Sequence, residues 1–204
     1  MIIPKLHYVS KANTAKEHLE NIQKACSSGI ELVQLVFNDN SEKKHLQLAK
    51  EIQEITSHFQ TRLLITDSFK ISKEIKADGI FLTDKKINPI QVRKHLYSWQ
   101  MIGANAFNLA DCEVLLDKQV DFITINSFKE LGIKGFTEIN NSLKTNTPLI
   151  GIGGITTNDV KAILKTGIQG IASTTAINAN FNDIKKFNQL LKASVTDEQR
   201  YTFK

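Results

Sequence analysis

Cysteine is scarce in this chain of 204 residues, which has only Cys26 and Cys112. The two stand far apart, each in a helix-like stretch, and this excludes a disulfide framework and any cysteine-based metal-ligand spacing. Both are expected to be reduced, buried thiols. Long apolar runs are missing too. No stretch approaches the roughly 18 consecutive apolar residues of a membrane span, and the start MIIPKLHYVSKAN lacks the apolar core and small-residue cleavage site of a signal peptide. A cytoplasmic protein with no membrane partner is expected. There is also no basic run with interleaved aromatics. The net charge of +5 comes from scattered lysines, which suits anionic ligands and argues against nucleic acid as a partner. No linker interrupts the chain, so one domain is expected, with the barrel unit described below over 1–193 and a polar C-terminal tail over 194–204.

What the chain does have is alternation between short β-like runs and longer amphipathic ones, the pattern of repeated βα units around a parallel sheet. The short runs are Leu6–Val9, Leu32–Phe37, Arg62–Thr66, Gly79–Leu82, Met101–Ala104, Phe122–Ile125, Leu149–Ile152 and Gly170–Ser173. They show little polar alternation, as expected of strands buried on both faces. Eight such units predict a closed (β/α)8 TIM barrel, a single-domain α/β fold. Helix starts support the count, with Asn13-Thr14 before Ala15–Cys26, Ser41 before Glu42–Ser57 and a further start at Thr156-Thr157-Asn158. An open doubly wound sheet would carry its glycine-rich turn after the first strand, where this chain reads Val9-Ser10-Lys11 without glycine.

The sharpest local signal is Pro148-Leu-Ile-Gly-Ile-Gly-Gly-Ile-Thr156, followed by a helical run and Gly167-Ile-Gln-Gly-Ile-Ala-Ser-Thr-Thr-Ala-Ile177. The seventh and eighth βα loops of a barrel commonly hold a phosphate, because glycines admit close backbone approach and N–H groups point at the anion. Gly153 and Gly154 fit the first loop, and Thr174 and Thr175 the second. Simple strand-to-helix turns are the alternative use of these glycines.

With these loops in place, the chain resembles the thiamin phosphate synthases and their TenI-like relatives, which include thiazole tautomerases. The likeness runs through Leu6-His-Tyr-Val, Gly29-Ile-Glu-Leu-Val-Gln-Leu35, Leu64-Ile-Thr-Asp67, Ala77-Asp-Gly-Ile-Phe-Leu82 and Ile102-Gly-Ala-Asn105 as well as the two glycine loops. The resemblance implies a TIM barrel of thiamin biosynthesis. A thiazole phosphate there attacks the methylene carbon of a pyrimidine pyrophosphate, and pyrophosphate leaves with help from Mg2+ and cationic side chains. Such a reaction needs carboxylates for the metal and cations for the leaving group.

The chain departs from that pattern. Where synthases read Gln-Leu-Arg-Glu-Lys, it reads Gln34-Leu35-Val36-Phe37-Asn38, and both cations are gone. Asn-Asp-Arg becomes Thr66-Asp67-Ser68. The second metal aspartate falls at Lys86, with Asp84 two residues away, and the family's serine after the fifth strand is Asn105. The flexible loop after the sixth strand shortens to Asn126–Lys134, and the histidine that tautomerases use as a proton shuttle falls at Phe107.

Several candidate roles remain. Asp67 is a catalytic or Mg2+-binding group, or else a helix cap for Ser68–Ile75. Asp84 is a second metal candidate. Gln34 contacts a substrate heterocycle or satisfies a polar layer inside the barrel. Asn105 and Lys129 are substrate-binding candidates, and Lys129 and Lys134 would return positive charge to the barrel mouth. His7 is read as a hydrogen-bonded core residue, and His18, His45, His58 and His95 as surface groups. Three functions fit: an enzyme of thiamin metabolism, as a divergent thiamin phosphate synthase (a transferase) or a TenI-like relative with thiazole tautomerase activity, a non-catalytic or regulatory homologue that binds a phosphorylated small molecule, or another phosphate-barrel isomerase with Asp67 as base. The sequence is also compatible with a homo-oligomer.

Overall fold

The computed structural model describes residues 2–37 and 41–201. Eight strands, β1 (Leu6–Lys11), β2 (Leu32–Val36), β3 (Arg62–Thr66), β4 (Gly79–Leu82), β5 (Met101–Ala106), β6 (Phe122–Ile125), β7 (Leu149–Gly151) and β8 (Gly170–Ser173), close into one barrel. Every pairing is parallel, and β1 closes the ring by pairing with both β2 and β8. The intervening helices are α1 (Ala15–Ser27), α2 (Glu42–His58), α3 (Phe69–Glu74), α4 (Pro89–Arg93), α5 (Leu109–Asp117), α6 (Phe128–Leu143), α7 (Val160–Lys165) and α8 (Thr175–Ala179), and α9 (Asp183–Tyr201) follows them. The expected tail from Ser194 therefore has its backbone in α9 as far as Tyr201, and residues 202–204 lie outside the described ones. Among the described residues no helix is long and apolar enough to cross a membrane.

Side-chain capping fixes where the longer helices begin. The Thr14 hydroxyl accepts the Glu17 N–H at 3.1 Å, and the Asn108 side chain accepts the Asp111 N–H at 2.9 Å. Both satisfy backbone donors that the first helical turn leaves free. At α7 the predicted start is displaced. Asp159 accepts both the N–H and the hydroxyl of Thr156, so residues 156–159 form a turn and the helix starts at Val160.

Strand alternation divides the apolar residues into two cores. The outward faces of the strands pack with the helices into one large cluster that includes Tyr8, Val33, Leu35, Ile65, Ile80 and Phe136. The inward faces form a second, smaller cluster of Leu32, Leu64, Phe81, Met101, Phe122, Ile150 and Ala172, with Ile3, Val9 and Ile152 against it. Phe122 is fully buried in this inner core. Its ring stands 5.9 Å from that of Phe81 and 5.1 Å from His7, and Gly103 opposite has no side chain because a Cβ there would lie 2.1 Å from the ring.

Both cysteines are buried free thiols, and burial pushes Cys112 up to about 12. Two of the expected surface histidines are inside. His18 accepts or donates at 2.8 Å with the Ser10 hydroxyl, and both His18 and His45 pack around the Phe37 ring where α1 meets α2. Each lies on the face its helix turns to its neighbour, and that pairing puts them under cover. Burial lowers the pKa of both rings. His58 and His95 are exposed, as expected.

Candidate active site at the barrel mouth

All eight strands point their C-terminal ends to one face, where barrel active sites are built. In ring order β3 and β4 lie opposite β7 and β8, so the two sets of residues singled out in the sequence face each other across the mouth.

On one side the loops after β7 and β8 share a cleft of about 650 Å³, a volume that includes open solvent, lined by Gly153, Gly154, Thr174, Thr175, Asn126 and Lys11 among others. The loop after β7 needs glycine for two separate reasons. Gly153 (φ 120°) and Gly154 (φ 74°) both have backbone angles that side-chain-bearing residues rarely adopt. A Cβ on Gly153 would also lie 2.6 Å from the backbone nitrogen of Phe128. On Gly154 the neighbour is Lys129, whose stem would be 2.2 Å from such a Cβ, so this lysine lies directly over the glycine loop. Thr174 and Thr175 differ. The Thr174 hydroxyl donates to the Val9 carbonyl at 2.8 Å and ties the β8 loop to β1, whereas Thr175 is exposed at the start of α8. Thr174 is thus anchored and does not present a free hydroxyl donor.

On the opposite side Asp67 sits at φ 55°, and its carboxylate turns to the end of β4, where it accepts the Thr83 N–H at 2.7 Å, the Thr83 hydroxyl, and the Asp84 N–H at 3.4 Å. Helix α3 receives no side-chain cap, so the capping role for Asp67 is ruled out. Asp84 accepts the Lys86 N–H at 2.9 Å. Beside it, Lys85 is committed to Asp111 at 2.7 Å and lies 5.1 Å from the centre of the Phe107 ring. Asn105, on β5 in register with Thr124, lines a smaller cleft with Asp84, Lys85 and Asp111. Among the described residues no group of three or more His, Cys, Asp or Glu side chains could hold a metal ion by itself.

Beneath the mouth, His7 Nε2 donates to the Pro4 carbonyl at 2.8 Å, which leaves Nδ1 to accept from Gln34 Nε2 at 3.0 Å. Burial holds the ring neutral by lowering its pKa to about 4. Gln34 is fully buried, and its Oε1 has no hydrogen-bond partner. The same holds for the hydroxyls of Thr66 and Thr124, which share the inward faces of Leu64 and Phe122. Buried polar atoms seldom go unpaired, so this polar layer has capacity for a ligand or for water.

Some expected features are not brought to the site. Lys134 pairs with Glu138 on the exposed side of α6, and Phe107 is exposed beside Lys85. The segment Asn126–Lys134 is mostly not a loop: α6 starts at Phe128 and breaks at Gly132. Asn38 lies outside the described residues. Lys11, Thr66 and Thr124 were not singled out in the sequence. Strand periodicity puts Thr66 and Thr124, two residues after Leu64 and Phe122, on the inward face, and Lys11 needed the true end of β1.

Comparisons with known proteins bear on the family and the fold. The family model described as thiamine monophosphate synthase matches residues 6–177. The thiamine-phosphate synthase of Flavobacterium johnsoniae is 31% identical over 209 residues, covering 94% of this chain and 98% of that protein. Its counterpart in Flavobacterium psychrophilum is 30% identical over 201 residues, with 92% and 98% covered. A thiamine phosphate pyrophosphorylase structure from Pyrococcus furiosus superposes with a TM-score of 0.77 over 95% of this chain and 96% of that one; at 21% identity the likeness is one of fold. On the extent of these matches, the chain belongs to the thiamine monophosphate synthase family.

Proposed function

We propose that the protein acts in thiamin biosynthesis as a divergent thiamin phosphate synthase, binding a thiazole phosphate, or thiamin phosphate as product, at the C-terminal face of the barrel. The observation that carries this reading is the one cleft that gathers Gly153, Gly154, Thr174 and Thr175 from successive strand ends. The names of the Flavobacterium relatives support the choice of substrate class. In the reaction the thiazole ring nitrogen forms a bond to the methylene carbon of the pyrimidine pyrophosphate. The carbon–oxygen bond to pyrophosphate breaks, and its electron pair leaves with the pyrophosphate.

Each side of the mouth has a part in this. Gly153 and Gly154 admit the phosphate close to the backbone, Thr175 offers a hydroxyl, and Lys129 offers a charge above the loop. Thr174 contributes by holding the β8 loop against β1. Gln34 and Asn105 meet the heterocycles, Gln34 through the oxygen that His7 leaves free. For Mg2+, Asp67 and Asp84 are the fitting carboxylates. A carboxylate has about four lone-pair sites, so the donors on Asp67 leave room for a metal bond, and Mg2+ commonly takes one or two carboxylates together with substrate phosphates. The ion, when bound, neutralises charge on the departing pyrophosphate.

A second reading, a non-catalytic phosphate-binding homologue, is favoured by Val36 standing where the family has arginine. The two separate in one assay with Mg2+, thiazole phosphate and pyrimidine pyrophosphate. Thiamin phosphate formation is expected, with Asp67→Asn slowing it by about 100-fold and weakening its response to added Mg2+. Bound thiazole phosphate without turnover would overturn catalysis in favour of the binding reading.

A further inference from the structure

We propose that Lys11 is a phosphate-binding residue of this site, supplying from β1 the positive charge that β2 lacks at Val36. The inference rests on the reading of the cleft as a phosphate site.

Three observations converge on Lys11. First, it lines the cleft formed by Gly153, Gly154, Thr174 and Thr175. Second, Lys11 and Val36 are direct register partners on neighbouring parallel strands. Adjacent strands lie about 5 Å apart, so a charge lost from one can be carried by the other at the same height. Alternation turns both residues inward: Val9, two before Lys11, and Leu32, four before Val36, pack in the barrel interior. Third, Lys85 is engaged by Asp111 and Lys134 by Glu138, whereas Lys11, like Lys129 over the glycine loop, makes no ion pair among the described residues and is free to meet an anion.

The local fold explains why this lysine reaches the site. Ser10 is buried and bonded to His18 of α1, which holds the end of β1 in extended form through Lys11. Thr174 bonds to the carbonyl of Val9, so the β8 loop is fastened to the same strand end. Lysine serves well here as a compact point charge, since phosphate recognition does not require the bidentate fork of arginine.

The test measures binding of thiazole phosphate and of inorganic pyrophosphate by calorimetry, with the phosphate-free thiazole alcohol as control. Lys11→Gln should weaken both anions by about tenfold or more while leaving the alcohol unchanged. Lys11→Arg should restore most of the loss. The double variant Lys11→Val with Val36→Arg should recover affinity by returning the charge to β2, which a purely structural role for Lys11 would not produce. Thermal melting of each variant guards against misfolding, and the exposed position of Lys11 predicts little change. Wild-type affinity in Lys11→Gln would overturn the assignment and leave the phosphate site standing. Failure of the wild-type protein to bind either anion would overturn both.

Discussion

At the scale of single residues, His7 links the interior of the barrel to the solution pH. Its two ring nitrogens are committed to Pro4 and Gln34, and burial lowers its pKa from 6.5 to about 4. The unfolded chain therefore binds a proton between these values that the native protein refuses, so stability rises with pH across that window. The contribution is complete above about pH 6.5 and is lost as the pH falls toward 4, on the order of 3 kcal/mol in total. Burial of His18 and His45 acts in the same direction. Urea midpoints between pH 7 and 5 should fall with acidification in the wild-type protein and fall less steeply in His7→Gln; equal slopes would contradict this role. The sequence marked His7 as a core residue because a strand in a barrel has no solvent face. It gave no such sign for His18 and His45, whose burial depends on which side of α1 and α2 the neighbouring helix covers.

At the scale of elements, the strands were the most legible part. Arg62–Thr66, Gly79–Leu82, Phe122–Ile125 and Gly170–Ser173 form as read, because residues buried on both faces leave short apolar runs bounded by polar ones. The end of β1 was less legible. Ser10 and Lys11 look like loop residues until Ser10 finds His18, and the two-residue extension is what brings Lys11 to the mouth. The helical start of α6 was likewise hidden, since Ser127 enters it at φ 70° and Gly132 breaks it, neither being a helix-like signal. The loop after β7 was legible through its glycines, though not the reason for their order. Gly153→Ala combines a left-handed backbone angle with a Cβ 2.6 Å from a backbone atom of Phe128, a neighbour that cannot swing aside. It should cost about 1–3 kcal/mol of stability, read from denaturant midpoints. An unchanged midpoint would contradict the close approach of this loop to α6.

At the scale of the whole molecule, closure of the sheet sets β3 and β4 opposite β7 and β8, so that carboxylates and the glycine cleft confront each other across one opening. This separation suits a reaction between two phosphorylated partners, one held by its phosphate and the other by its leaving group. The family's pattern marked the sides of the mouth in the sequence, but the proposed transfer of charge from Val36 on β2 to Lys11 on β1 rests on the register of the two strands, which a first strand read only to Val9 did not show. The central claim is that the phosphate of a thiazole phosphate occupies the β7–β8 cleft. A crystal structure of the protein soaked with thiazole phosphate tests it most directly. The account predicts phosphate density within about 3 Å of backbone nitrogens in the loop holding Gly153 and Gly154, with hydrogen-bond geometry. Density for the phosphate on the Asp67 side of the mouth, or none at the cleft under saturating ligand, would contradict it.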